Sequence, residues 1–143
     1  MPDWPRQPDN RTCGPSSVVV AEGLPGPWPD FEADVLAMHR RLTGLRDRNG
    51  RWQLPWLRMF GTPPWAVARE LGGRVRRYRQ AEVLAALPAP VPVFLGSRWL
   101  PRHVVLVLDE RDGEPFVYNP AVGAVVPISS SRWKHRWWAV LPR

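Results

Sequence analysis

A chain of 143 residues, 44% of them apolar, is long enough to bury one core and too apolar to stay disordered, so a single domain over 1–143 is expected. The formal charge of +7 favours acidic partners without selecting nucleic acid, and the single cysteine excludes an internal disulfide and any multi-cysteine zinc site. No segment approaches the roughly 18 apolar residues of a membrane helix and no signal peptide opens the chain, so the expectation is a cytoplasmic protein with no membrane association.

In chain order, Thr12 is placed to cap a first helix whose opening turn holds Cys13, Gly14 and Pro15, with Gly23 and Pro25 ending it. A second helix follows Asp30, with Phe31, Val35, Met38 and Leu42 on one face and Gly44 as its stop. Leu45 to Gly61 reads as loop. Thr62-Pro63-Pro64 opens a third helix that runs to Leu71 and is closed by Gly72-Gly73, and Val75 to Tyr78 reads as a short strand. A helical run, Ala81 to Leu87, precedes five strands: Val91 to Leu95, His103 to Leu108, Pro115 to Asn119, Ala124 to Ile128 and Trp137 to Leu141. Helices first and strands later imply an α+β domain, with N-terminal helices packed on a C-terminal antiparallel sheet. The strand from His103 is apolar on both faces, so a helix should bury one of them.

Cys13 stands where helix N–H groups and the helix dipole favour negative charge, and the thiolate is the attacking form of a thiol. His103 heads a strand and Asn119 ends the next, which is the order that a Cys-His-Asn site requires. Opposed residues of an antiparallel pair point to one face. His103 and Asn119 are equidistant from Arg111, so an odd-length loop ending at Gly113 would set both on one face, whereas a two-residue Asp112-Gly113 turn would separate them. Asp109 is the rival third member, but it lies about 20 Å down the strand from His103 at 3.3 Å per residue. The chemistry read from these residues is a thiolate paired with a His103 cation, with the imidazole oriented by Asn119. The Cys13 N–H and the Gln7 side-chain amide, six residues upstream, would hold the oxyanion.

Gln7, Cys13-Gly14-Pro15, His103 and Asn119-Pro120 together resemble the papain-like cysteine peptidases, and within them the C39-like peptidase domains. The resemblance implies a papain-like fold, a peptide or protein substrate, a covalent thioester and no cofactor or metal. It also implies compact bacterial domains, some of which cleave leader peptides after small residues. Near-exclusive use of arginine, with Lys134 the sole lysine, fits a bacterial source. The sequence departs from the C39 pattern in having Asn119 where aspartate is usual, and the membrane and nucleotide-binding domains of the transporter-linked members are absent.

The same residues also allow an inactive papain-like binding domain, or a deamidase or amide transferase that resolves the thioester differently. Trp99, in the run leading into His103, reads either as a substrate wall or as packing. His39, near a helix end, and His135 lie among basic residues and read as solvated or cap-like rather than catalytic. Arg74, Arg76, Arg77 and Arg79 read as a solvated strand edge or a phosphate site. The last reading belongs to a basic, tryptophan-rich nucleic-acid module, which leaves the order of Gln7, Cys13, His103 and Asn119 unexplained.

Overall fold

The computed structural model describes residues 4–9, 12–44, 49–51 and 63–143. The loop expected from Leu45 to Gly61 and the Thr62 start of the third helix lie outside these residues, apart from 49–51. Helix α1 (Cys13–Glu22) is buried from Cys13 to Val20. Its run Val18-Val19-Val20 is β-branched and intrinsically poor in helix, so burial on every side rather than propensity sustains it. Helix α2 (Phe31–Leu42) buries Phe31, Val35, Met38 and Leu42, the predicted face, and ends at Thr43, one residue before the expected Gly44. Helix α3 (Pro64–Leu71) is closed by Gly72 at φ 68, a left-handed conformation that glycine adopts without strain. Glu70 of α3, 2% exposed, meets the Arg41 guanidinium of α2 through two hydrogen bonds of 2.5 and 3.1 Å. The pairing supplies the partner that a buried carboxylate needs.

Strand β1 (Gly73–Arg77) and helix α4 (Gln80–Ala86) follow, then β2 (Val91–Gly96), β3 (Pro101–Arg111), β4 (Glu114–Asn119), β5 (Ala124–Pro127) and β6 (His135–Pro142). The six strands form one sheet in the order β1-β6-β2-β3-β4-β5, and every pair is antiparallel. The fold is α+β, as predicted. Val104 and Leu106 of β3 pack with α1, α2 and α3 in one core, while Val105 and Val107 pack with Val83 of α4 and Ile128 in a second. Both faces of β3 are therefore buried, where the sequence required only one helical cover.

The turn between β3 and β4 departs from the odd-length loop expected. Arg111 pairs with Glu114 across the two-residue turn Asp112-Gly113, whose φ angles of 53 and 80 are both positive, as a tight hairpin demands. The odd residue lies instead inside β3: Val107 faces Val117 and Asp109 faces Phe116, so Leu108 bulges out of the ladder. One extra residue inverts the side-chain parity of everything before it. Beyond the bulge Leu106 faces Tyr118, and continuation of that register sets His103 and Asn119 on one face, a diagonal step apart.

Candidate active site

Residues 4–9 run beside the turn that follows β4. The Gln7 N–H donates to the Pro120 carbonyl at 2.9 Å, Arg6 Nε donates to the Ala121 carbonyl at 2.9 Å, and Tyr118 Oη donates to the Pro5 carbonyl at 2.5 Å. Trp4 packs between Trp28 and Tyr118, with centroid separations of 5.4 and 5.8 Å. These contacts bring the segment ahead of Cys13 against the end of the strand that carries Asn119.

His103 Nε2 and Asn119 Oδ1 are 2.8 Å apart. Asn119 Oδ1 also accepts the Ala121 N–H at 3.1 Å. An atom facing a backbone N–H must be the amide oxygen, so the opposing imidazole nitrogen is the protonated one. His103 Nε2 therefore donates and Nδ1 keeps its lone pair as the basic nitrogen. Orientation and tautomer are both set by one asparagine, itself held by the turn after Pro120.

Cys13 meets β3 at the residue after His103. A backbone hydrogen bond links the thiol to Val104, and one turn along α1 the Ser17 hydroxyl donates to the Val104 carbonyl at 3.5 Å. Two side chains of one helical face thus grip the backbone N–H and C=O of one residue of β3. Among the described residues no hydrogen bond joins Cys13 to His103.

Cys13, His103 and Asn119 are 6%, 9% and 7% exposed, so the site's dielectric is low and ionisation is costly. Burial pushes the Cys13 thiol from 9.0 up to about 11, against weaker downward pulls from the backbone of Val104, Gly14 and Cys13 itself. Burial also holds the His103 imidazole below its ordinary 6.5, opposed by the Asn119 hydrogen bond. Both directions favour neutral forms. Both shifts work against the ion pair expected from the helix dipole, because desolvation outweighs the first-turn N–H groups.

Gln7 is half-buried, but its amide is turned back on its own segment: Nε2 donates to the Asp9 carbonyl at 2.5 Å. Its Oε1 is buried and has no hydrogen-bond partner among the described residues. Thr12 occupies the helix N-cap position without capping through its side chain, and its hydroxyl donates to the same Asp9 carbonyl at 3.2 Å. Asp9 is thus a junction that the sequence reading missed, as it missed Ser17; the four-residue spacing of Cys13 and Ser17 was the available signal for the latter.

Trp99 is 75% exposed, with the Arg98 guanidinium 5.0 Å from its ring centroid, so it does not serve the core. Its turn is built tightly: Ser97 Oγ accepts the N–H groups of Trp99 and Leu100, and a Cβ on Gly96 would lie 2.1 Å from the Leu100 carbonyl oxygen. His39 stands in the last turn of α2, near the helix end as expected, but is buried rather than solvated because its helix packs that side against the core; His135 is exposed, edge-on to Trp137. Among the described residues no group of three His, Cys, Asp or Glu side chains is arranged to hold a metal ion, and no helix is long and apolar enough to cross a membrane.

No family model matches the sequence, and no curated protein matches it either. The fold, however, is similar to that of the peptidase domain of Streptococcus ComA, a bi-functional ABC transporter involved in a quorum sensing pathway. The two superpose with a TM-score of 0.58 over 99% of this chain and 98% of the other, at 18% sequence identity. The chain has the fold of a C39-like, papain-type peptidase domain.

Proposed function

We propose that the protein is a cysteine peptidase or closely related thiol amidohydrolase acting on a peptide or protein substrate. The observation that carries this reading is the His103–Asn119 pair, whose tautomer leaves Nδ1 basic at the strand start where the next residue touches the only thiol in the chain. In this reading Cys13 Sγ attacks the carbonyl carbon of the scissile amide as its proton passes to His103 Nδ1. With burial disfavouring the charged form of each group, transfer and attack are coupled, and the ion pair forms as charge develops on the substrate. The Cys13 N–H faces the oxyanion, and Gln7 joins it by exchanging the Asp9 carbonyl for the substrate oxygen. His103 then protonates the leaving nitrogen and the C–N bond breaks, leaving a thioester. Water attacks the thioester, giving a proton to His103, and the C–S bond breaks as that proton returns to sulfur.

The test is incubation with a mixed peptide library, read by mass spectrometry for wild type, Cys13→Ala and His103→Ala. Cleavage by wild type alone, with an acyl group trapped on Cys13 at short times, is expected. The loss in either variant should be at least about 10⁴-fold for groups acting as a unit. A gain of about 1 Da on glutamine-containing peptides without scission would identify the deamidase branch. Absence of cleavage, deamidation and Cys13 adducts with peptidyl electrophiles sinks the enzymatic reading and leaves a papain-like binding domain.

A further inference from the structure

A cleft of about 690 Å³ opens between α4 and the β1–β6 edge of the sheet, rimmed by Arg74, Arg76, Arg77 and Arg79 over a floor that includes Leu141 and the alanines of α4. Its one carboxylate, Glu82, is 3.9 Å from Arg79. Arg74, Arg76 and Arg77 have no acidic partner among the described residues. Arg74 faces Leu141 and Arg76 faces Ala139 across the ladder, so both guanidinium stems rise on the face that α4 covers, while Val75 between them packs in the opposite core. β1 also ends the sheet, and no strand pairs with its second edge among the described residues. Unpaired strand edges present main-chain donors and acceptors.

We propose that this edge binds an extended acidic peptide segment, which adds to β1 as a seventh strand. The repeat of an added strand matches that of β1, so acidic side chains at alternate positions meet Arg74 and Arg76, about 6.6 Å apart at the strand rise. Arg77, the last residue of β1, and Arg79, two residues past it, also line the cleft and extend the same field, while the intervening side chains of the added strand turn to the opposite face, on the side of Val75. Charge complementarity chooses the partner's sign, and the cleft's lining chooses its class. No aromatic ring lines the cleft, as base stacking by a single-stranded nucleic acid would require. The proposal is independent of the thiol chemistry.

Fluorescence anisotropy with a labelled peptide of alternating Glu and Val, its Gln–Val counterpart and oligothymidylate tests it on the full chain. The acidic peptide should bind at low salt, at least tenfold more tightly than the Gln–Val peptide or oligothymidylate. Arg74→Gln with Arg76→Gln should weaken binding at least tenfold with the circular dichroism unchanged; if that variant unfolds, Arg77→Gln with Arg79→Gln applies the same test from the strand end. Hydrogen exchange of the β1 amides should slow on binding, and Cys13→Ala should bind like wild type. Equal affinity for the neutral peptide, tighter oligothymidylate binding, indifference to the arginine variants, or protection confined to other strands would each overturn the proposal.

Discussion

The His103–Asn119 pair and the arginines of β1 stand on one sheet and follow opposite electrostatic rules. The first is buried and neutral, with hydrogen bonds setting orientation and tautomer down to the nitrogen that carries the proton. The second is exposed and charged, and the described residues offer none of its three guanidinium groups an acidic partner. In the first region desolvation sets which protonation state exists, so specificity comes from geometry. In the second, charges stand in solvent, so selectivity comes from the sign and spacing of what approaches.

The comparison breaks first at the bulge. Deleting Leu108 while the Asp112-Gly113 turn persists would put His103 and Asn119 on opposite faces, and peptide cleavage should fall to the level of His103→Ala. One glycine added to the turn restores the parity and should recover most of the activity. Recovery failing in a variant that is folded by circular dichroism would show that the bulge does more than set register.

A second effect is thermodynamic. The folded thiol holds its proton up to about pH 11 while the unfolded thiol loses it from 9.0, so the folded state binds more protons across that window and stability falls as pH rises. At 1.36 kcal/mol per unit the loss approaches about 3 kcal/mol. Urea unfolding of wild type and Cys13→Ser at pH 8 and at pH 10.5 should show a steeper decline for wild type. Parallel declines would mean that Cys13 is not desolvated.

Third, a neutral base below 6.5 places the acid limb of kcat/KM below pH 6.5. Asn119→Asp puts an anion beside the imidazole and should move that limb upward by about one unit or more. An unmoved limb would remove His103 from the role of base. The smallest effect belongs to the other region: Arg74→Gln with Arg76→Gln should change folding stability by no more than about 0.5 kcal/mol, since exposed charges add little. A larger loss on thermal unfolding would show that the arginines hold the sheet edge together.

Helix starts and strand centres were legible where the physics is local. Pro15 and Pro64 lie in the first turns of α1 and α3, Gly72 closes α3, and the spacing of Phe31, Val35, Met38 and Leu42 marked the buried face of α2. The order of Cys13, His103 and Asn119 was legible for the same reason, as each stands at a recognisable start or end of an element. The hairpin register was not. Val104 to Leu108 is apolar at every position, so alternation carries no information about faces and nothing marks Leu108 as the extra residue. The burial of His39 was not legible because Arg40 and Arg41 dominate its sequence neighbourhood while α2 buries its side chain.

From its sequence alone the chain determined an α+β order of elements, one thiol at a helix start and a histidine and asparagine at strand ends, because backbone propensity and residue identity act over a few positions. Tertiary structure alone decided which imidazole nitrogen is basic, that burial pushes the thiol's pKa up, that Gln7 is held by Asp9, and that four arginines share one cleft. Desolvation and hydrogen-bond geometry depend on groups that are distant in the chain and meet only when it folds.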